Sequence, residues 1–292
     1  MCGIFGFIGK RAAAPLLVEG LRRLEYRGYD SSGIVVKNGS LQVHKKVGKV
    51  SELSKVLPNH IAGNSGIAHT RWATHGGVTD ANAHPHLSEN ESIAVVHNGI
   101  INNSRDLRNR LEQRGFELKS ETDSEALVHM ISIGIESGQE PLEAVRQTLK
   151  RATGTWGLCV LFKDHDLIVC ARNGSPLILG KGDGESFIAS DPHALSQHTQ
   201  NFYFLEDGDM AVVTRDGIDI SRLEGGMSST SMTVIEDEWG EADMAGFPTF
   251  MLKEIHEQPE ALRRCITGRL DMANGSAKLG GLRLEPLRLR TT

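Results

Sequence analysis

The layered fold is indicated by residues 156–170, which read WGLCVLFKDHDLIVC. Two nearly continuous apolar runs, Trp156–Phe162 and Leu167–Cys170, are separated by four polar residues. Runs of this kind are typical of strands that are covered on both faces. A four-residue turn between them pairs the runs as a hairpin and places Cys159 opposite Cys170 on one face. We therefore expect a buried hairpin in the interior of a layered protein.

Further strands lie on either side of this hairpin in the sequence, and helices separate the two groups. The strand pattern predicts strands at Gly3–Ile8, Gly33–Val36, Leu41–Lys46, Gly66–Thr70, Ile93–Asn98, Phe187–Ser190 and Met210–Thr214. Helices are predicted from about Ala12 to Glu25, from an N-cap at Ser104 to a C-cap at Gly115, from Thr122 or Asp123 through Ile133, and from Pro141 through Leu149. This order predicts α+β packing, with two sheets inside and helices outside, rather than a doubly wound parallel sheet.

Composition excludes several classes of protein. The 292 residues are 39% hydrophobic and 24% charged, which is near the globular average. Lys and Arg number 32 against 37 Asp and Glu, and this net charge of -5 argues against a nucleic-acid partner. The sequence has no apolar run long enough to span a bilayer and no signal-peptide pattern. Four cysteines are too few for a disulfide scaffold. We expect a cytoplasmic protein without nucleic-acid or membrane partners.

A change of composition near residue 223 divides the chain. We expect a first domain at 1–222, a linker at 223–247 that includes the acidic stretch Glu236–Asp243, and a helical connector and tail at 248–292. The connector contains a predicted helix, Met251–Cys265, in which Pro259 predicts a kink or break. The tail from Thr267 has no core pattern and is expected to be solvated.

The most informative position for chemistry is Cys2. Removal of Met1 would leave a residue that carries both a thiol and a free α-amine, and such a nucleophile can use its own amine as general base. The alternative is a cysteine that packs inward at the start of the first strand.

Three polar clusters at the ends of predicted elements are further candidates. In His69–Gly76, Arg71 could bind a carboxylate and Trp72 could close over a small ligand. A surface ion pair for Arg71 and a core position for Trp72 explain these residues equally well. Asn98 and Gly99 carry N–H donors that suit an oxyanion, or form an ordinary Asn-Gly turn. Asp123 could hold an ammonium group or cap a helix.

Two other motifs are weaker. His84-Pro85-His86 is the best metal candidate among twelve histidines, but no Cys or acidic pair accompanies it at metal-ligand spacing. Gly180–Gly184 lacks the spacing of a phosphate-binding loop and predicts a hairpin turn. We therefore expect no metal and no cofactor.

Together the clusters resemble one family, the glutamine–fructose-6-phosphate aminotransferases, in their N-terminal glutaminase domain, a class II glutamine amidotransferase domain. The motifs that carry this resemblance are Cys2–Gly6 (CGIFG), Leu21–Ser31 (LRRLEYRGYDS), His69–Gly76 (HTRWATHG), Asn82–His86 (NAHPH), His97–Ile100 (HNGI), Glu121–Asp123 (ETD), Phe250–Pro259 (FMLKEIHEQP) and Thr267–Arg269 (TGR). They cover most of the chain, and their combination is highly specific.

The resemblance implies a four-layer αββα sandwich of the N-terminal-nucleophile hydrolase type. It implies that mature Cys2 attacks the side-chain amide of L-glutamine and forms a thioester that water resolves, with Asn98 and Gly99 as the oxyanion hole. The other roles that it implies are Arg71 for the substrate carboxylate, Asp123 for its ammonium group, Trp72, Thr74 and His75 for the closing loop, and Arg27 for positioning the N-terminus.

Members of this family continue into a sugar isomerase half of roughly two further domains, and this sequence stops before it. Fructose 6-phosphate, glucosamine 6-phosphate synthesis and a possible homodimer are therefore expected only through that half. We expect a fragment or a stand-alone glutaminase. The alternatives are the glutaminase part of a phosphoribosyl-pyrophosphate amidotransferase, a non-catalytic glutamine-binding module, and a Cys–His hydrolase in which Cys2 pairs with His75 or His97.

The hairpin generates a first prediction. Cys159 and Cys170 should be buried free thiols, because a reducing cytosol keeps even close cysteines reduced. Titration of the denatured chain without reductant should detect four thiols, one for each cysteine in the sequence. Detection of only two would show that a disulfide forms.

Overall fold

A computed structural model describes residues 2–74, 76–235, 245–271 and 275–277 of the chain. The described residues up to 235 belong to one compact unit, and those from 245 onward belong to a second. His75 and the acidic stretch Glu236–Asp243, both singled out in the sequence, lie outside the described residues.

The first unit is built from strands in two groups with helices between them, as expected. Its strands are β1 (Gly3–Ile8), β2 (Ser31–Lys37), β3 (Leu41–Val47), β4 (Ser65–Arg71), β5 (His86–Leu87), β6 (Ile93–Ile101), β7 (Gly154–Phe162), β8 (Ile168–Asn173), β9 (Ile178–Gly182), β10 (Glu185–Ala189), β11 (Asn201–Phe204), β12 (Asp209–Val213), β13 (Ile218–Arg222) and β14 (Met232–Val234). Its α-helices are α1 (Ala13–Leu24), α2 (Val50–Val56), α3 (Ser104–Glu112), α4 (Glu125–Glu136) and α5 (Pro141–Leu149). A hairpin turn joins β9 to β10 as predicted, but it consists of Asp183 and Gly184, because Gly180–Gly182 belong to β9.

The strands form two antiparallel sheets. One sheet has eight strands in the order β14-β11-β9-β10-β1-β4-β2-β3, and the other has six in the order β13-β12-β8-β7-β6-β5. Side chains of β1 alternate between two cores, because successive residues of a strand point to opposite faces. Phe5 and Phe7 pack with α1 and α2, whereas Ile4 and Ile8 pack with the six-stranded sheet. The helices α3, α4 and α5 cover that second sheet, which completes the four-layer αββα sandwich.

The central hairpin confirms the prediction made from residues 156–170. β7 and β8 are buried on both faces, with Leu158 in the core under the helices and Leu161 in the core between the sheets. Cys159 pairs with Cys170 in the predicted register, and their sulfur atoms lie 3.7 Å apart as free thiols.

The helix ends differ from the sequence predictions in detail. Gly115 lies just beyond α3, whose C-cap is Gln113; Gly115 has a φ of 90°, and Phe116 N–H donates to the carbonyl of Leu111, a hydrogen bond typical of helix ends. Ser104 is the first residue of α3 rather than its N-cap, and Asn103 takes that place. Asp123 does not cap α4, because its carboxylate accepts the Ile101 N–H at 2.7 Å instead.

The linker predicted at 223–247 is wrong up to residue 235. Met232–Val234 forms the edge strand β14, which pairs with β11. Ser228 and Thr230 donate hydrogen bonds of 2.7 Å to the carboxylate of Asp209, which is fully buried and also accepts one from Arg222. The Ser- and Gly-rich segment reads as a linker in the sequence, but its hydroxyl groups satisfy a buried charge that is distant in the chain.

The second unit contains helix α6 (Phe250–Ile266) and a short hairpin of β15 (Leu270–Asp271) and β16 (Ser276–Ala277). Of the kink or break predicted at Pro259, a break does not occur, because α6 continues through this residue. Ile255, whose carbonyl loses its helical partner at Pro259, is half exposed, so water can solvate it. The described residues after Thr267 whose burial is given are exposed, which agrees with the expectation of a segment without a core pattern. None of the described helices is long and apolar enough to cross a bilayer.

Asp209 generates a prediction about stability. Burial alone would raise the pKa of its carboxyl, but hydrogen bonds from Thr230, Ser228 and Arg222 among others outweigh burial and hold the pKa below its usual range. Asp209→Ala should lower the free energy of unfolding by about 2–4 kcal/mol, because it leaves several buried donors unpaired. Urea unfolding at pH 7 measures this loss.

The effect should depend on pH in one direction. A depressed pKa stabilises the fold above the unfolded pKa of about 3.9 and ceases to do so as pH falls through the folded value, so the difference between the two proteins should shrink below about pH 4. The exposed Asp219→Ala serves as control and should change stability by less than about 0.5 kcal/mol. Equal losses in the two variants would contradict the role given to Asp209.

Candidate active site

Cys2 lies where the first strand enters the eight-stranded sheet. β1 pairs with β4 so that Gly3 lies opposite Thr70, and this register brings Cys2 beside the end of β4. The Sγ atom of Cys2 accepts the Trp72 N–H at 3.2 Å, and its thiol faces the Trp72 carbonyl at 3.6 Å. A Cβ at position 3 would lie 2.6 Å from Thr70 Oγ1 and 2.7 Å from Leu24 Cβ, so only glycine allows this close approach. The thiol is therefore half-buried at one end of the sheet.

A second group of contacts holds the backbone of Cys2. Arg27 donates from Nε to the Cys2 carbonyl at 3.3 Å and from Nη1 to Asp191 at 3.0 Å. Tyr26 donates its hydroxyl hydrogen to the same Asp191 oxygen at 2.8 Å. Arg27 thus lies where it can position the N-terminus. Asp191 was missed in the sequence, where the only signal was an acidic residue directly after a predicted strand.

Asn98 and Gly99 lie beneath Cys2 in the other sheet. They are not a turn, because β6 continues through them to Ile101. Asn98 Nδ2 donates to the Cys2 carbonyl at 3.0 Å. Gly99 has a φ of 135°, and a Cβ there would lie 2.1 Å from the Thr155 carbonyl oxygen, so no other residue fits. The two sheets therefore meet at Cys2.

A narrow cleft with about 310 Å³ of empty space, open to solvent, runs beside the thiol. Its described lining includes most of the residues proposed from the sequence: Cys2, Arg71, Trp72, Thr74, Gly99 and Asp123. It also includes His69, His84, His97 and Thr122, which belong to sequence motifs, and Ser124, which the sequence analysis did not single out. The cleft therefore presents one guanidinium and one carboxylate beside a thiol.

Arg71, Trp72 and Thr74 line this cleft, and Glu121 holds the segment that follows them at Gly77 and Asn82. Its carboxylate accepts the Gly77 N–H and the Asn82 side-chain N–H, both at 2.9 Å, and its own N–H donates to Asn82 at 2.8 Å. The hydrogen bond from Gly77 is the main cause that lowers the pKa of Glu121. Arg71 Nη1 donates to the Gly77 carbonyl at 3.0 Å. The guanidinium and this segment are therefore held together.

The histidines that line the cleft, and the neighbouring His86, are buried and neutral. Burial lowers the pKa of His69 and of His86 to about 3, and it lowers those of His84 and His97 as well. Among the described residues, no group of three or more His, Cys, Asp or Glu is arranged to hold a metal ion. The rings are instead packed together, with those of His69 and His84 stacked at 4.3 Å.

His97 is not placed as a partner of the thiol. Its Nδ1 lies 2.8 Å from Ser124 Oγ and its Nε2 lies 3.2 Å from the Thr155 carbonyl. Since both ring nitrogens have other partners, the geometry argues against a Cys–His pair built from His97.

Comparison with known proteins gives the family. Residues 69–197 match the family described as glutamine amidotransferase domain. Glutamine–fructose-6-phosphate aminotransferases from Chlorobaculum tepidum and Thermus thermophilus are each 46% identical to this chain, over 97% and 98% of it and 47% of each relative. This chain contains a glutamine amidotransferase domain of that aminotransferase type. It spans about half the length of the curated relatives that it matches.

Solved structures confirm the fold of the amidotransferase domain. The phosphoribosylpyrophosphate amidotransferase from B. subtilis superimposes with a TM-score of 0.67 at 26% identity, over 77% of this chain and 50% of that one. A glutamine aminotransferase class-II domain protein from Silicibacter pomeroyi shares the fold at 16% identity and a TM-score of 0.53, over 76% and 98% of the two chains. Identity to the aminotransferases is far higher than to the phosphoribosylpyrophosphate enzyme, which favours the former type, as the sequence motifs do.

The pKa of the Cys2 thiol is shifted by its surroundings. Burial raises the pKa of Cys2, although the Trp72 N–H and the charge of Arg71 act in the opposite direction. The thiolate is the nucleophilic form. Attack at neutral pH therefore needs a base to remove the proton.

In protein that keeps Met1, alkylation of Cys2 by iodoacetamide should be slow at pH 7. Its rate should increase about tenfold per pH unit without reaching a plateau below the ordinary thiol pKa of about 8.5. Mass spectrometry of the N-terminal peptide measures this rate, and the urea-denatured chain provides the unperturbed reference. A plateau below pH 8 in the folded protein would contradict the raised pKa.

Proposed function

We propose that this chain hydrolyses L-glutamine to L-glutamate and ammonia, with Cys2 as an N-terminal nucleophile after removal of Met1. The observation that carries the proposal is the meeting of the two sheets at Cys2, where the Asn98 amide contacts the Cys2 carbonyl at 3.0 Å beside the cleft. The 46% identity to glutamine-dependent aminotransferases supports the choice of substrate.

The proposed reaction has two halves. The α-amine of mature Cys2 takes the thiol proton, and the thiolate attacks the amide carbon of the glutamine side chain. The tetrahedral intermediate collapses when the amide nitrogen receives that proton and leaves as ammonia, so a γ-glutamyl thioester remains. Water then attacks the thioester through a second tetrahedral intermediate, which releases glutamate and restores the thiol.

Two charged side chains select an α-amino acid. Arg71 can bind the α-carboxylate through its planar guanidinium, and Asp123 can accept the α-ammonium. Both line the cleft and both are nearly buried, so their charges are only weakly screened by solvent. Trp72 and Thr74, also in the lining, would cover the bound amino acid, and His75 remains part of the closing loop only as a proposal.

The negative charge of each tetrahedral intermediate needs N–H donors. Asn98 Nδ2 has two hydrogens, one of which binds the Cys2 carbonyl, so the other can donate to the oxyanion together with the Gly99 N–H. Loss of one such donor costs about 10²–10³ in rate in comparable sites.

The destination of the ammonia is a proposal about a longer protein. The matched relatives are named as aminotransferases that act on fructose 6-phosphate, and this chain corresponds to 47% of their length. In a protein that also carries the sugar isomerase half, the ammonia would convert fructose 6-phosphate to glucosamine 6-phosphate. A homodimer would form through that half.

Glutamate release from L-glutamine by the purified chain tests the proposal, with the intact mass recorded to establish whether Met1 is present. We expect release in protein that lacks Met1, and at least about a 10³-fold loss in Cys2→Ala, which removes the nucleophile. Cys265→Ala, at an exposed cysteine of the second unit, is the matched control and should keep full activity.

Each other outcome has a distinct meaning. Processed protein that stabilises thermally with glutamine but releases no glutamate would indicate a binding module. Activity that survives in Cys2→Ala would overturn the nucleophile. Acetylation of the α-amine should abolish turnover, and activity that survives it would identify a different base, as in a Cys–His hydrolase.

A further inference from the structure

The side-chain amide of Asn98 is useful for oxyanion binding only in one orientation. Its nitrogen end donates and its oxygen end accepts, and the two ends exchange places when the side chain rotates by half a turn about its last bond. Asn98 Nδ2 lies 3.0 Å from the Cys2 carbonyl oxygen. In the opposite orientation two acceptor oxygens would face each other there. Contact with Cys2 alone favours the useful orientation, but the oxygen end of the amide also has a partner.

That partner is His69, in the middle of β4. Its Nε2 lies 2.9 Å from Asn98 Oδ1, and the residue is 1% exposed. Burial lowers the pKa of His69 to about 3, so the ring is neutral at pH 7 and carries one proton. The proton belongs on Nε2, because a proton on Nδ1 would leave the lone pairs of Nε2 and Asn98 Oδ1 opposed at 2.9 Å.

The ring of His69 is itself held in place. The ring of His84 stacks on it with 4.3 Å between centroids and an interplanar angle of 21°. His84 Nδ1 accepts the backbone N–H of His97 at 3.2 Å, which fixes the orientation of His84. A backbone group of β6 thus orients His84, His84 restrains His69 by packing, and His69 binds the side chain of Asn98 on that same strand.

We propose that His69 is a positioning residue for the oxyanion hole: its Nε2–H binds Asn98 Oδ1 and keeps Nδ2 directed at the reacting carbonyl. This inference rests on the proposed glutaminase function. His69 acts through Asn98, so its loss should reduce the stabilisation of the transition state. The binding of glutamine should not change, because Arg71 and Asp123 hold its charged groups.

The test compares His69→Leu with His69→Gln. Leucine removes the donor, whereas the glutamine side chain carries an N–H at about the reach of His Nε2. We expect kcat to fall about 10²-fold in His69→Leu, the loss typical of one oxyanion donor, and to stay within about tenfold of the wild type in His69→Gln. The affinity for glutamine, measured by calorimetry in a Cys2→Ala background, should change less than about threefold in both. His129→Leu, at another buried histidine, is the matched control and should keep the wild-type kcat.

A readout of structure complements the kinetics. In protein labelled with ¹⁵N-asparagine, the Asn98 side-chain signals can be identified by their loss in Asn98→Asp. They should be sharp and unchanged in His69→Gln but shifted or broadened by exchange in His69→Leu, because the amide is then free to rotate.

Other results separate the two proposals. A wild-type chain that lacks Met1 but releases no glutamate overturns the proposed function and this inference with it. With an active wild type, three results overturn the role of His69 alone: an unchanged kcat in His69→Leu, an equal loss in His69→Gln, or a loss that appears in glutamine affinity. Thermal unfolding of each variant establishes that the comparison is made on folded protein.

Discussion

Two antiparallel neighbours hold β1 along its length, β4 on one side and β10 on the other. The first residues of a chain are normally poorly ordered unless such pairing ties them down. Here the position of the proposed nucleophile follows from this pairing, because a cysteine one residue before a central strand is held in place by that strand. Gly3 permits the approach to Thr70, and Ile4 N–H binds Ser190 Oγ at 3.0 Å at the other edge. The proposed chemistry depends on this pairing before it depends on any catalytic side chain.

The second requirement is that the two sheets stack. The eight-stranded sheet supplies Cys2 and Arg71, and β6 of the six-stranded sheet supplies Asn98 and Gly99. The apolar layer between them, with Ile4, Val96 and Cys159 among its members, sets the distance between these groups. Burial on both faces of the central strands is therefore also what assembles the site. A chain with the same motifs on an open sheet would keep them apart.

Features that depend on local pattern could be predicted, and features that depend on distant partners could not. The hairpin around Cys159 was predictable because two apolar runs and a four-residue polar turn follow one another directly in the sequence. The cap prediction was wrong where the side chain binds a group elsewhere in the fold, as the Asp123 carboxylate binds the Ile101 N–H. Residues 228–234 read as a linker because composition does not reveal that Asp209 needs their hydroxyl groups. Asp191 gave almost no signal, since its contact with Arg27 spans 164 residues.

Burial narrows the choice of base for the proposed reaction among the described residues, which do not include His75. It raises the pKa of the Cys2 thiol, so the proposed attack needs a base to generate the thiolate. It lowers the pKa of His69 and of the other histidines that line the cleft, and both ring nitrogens of His97 are already engaged. Of the groups that normally titrate near neutral pH, the α-amine of mature Cys2, with an ordinary pKa of about 7.7–8.0, is then the one attached to the nucleophile itself. A neutral histidine layer also adds no positive charge that would compete with Arg71 for the substrate carboxylate. Among the described residues, the apolar surroundings that hold the sheets together therefore favour the α-amine of Cys2 as the base of the proposed reaction.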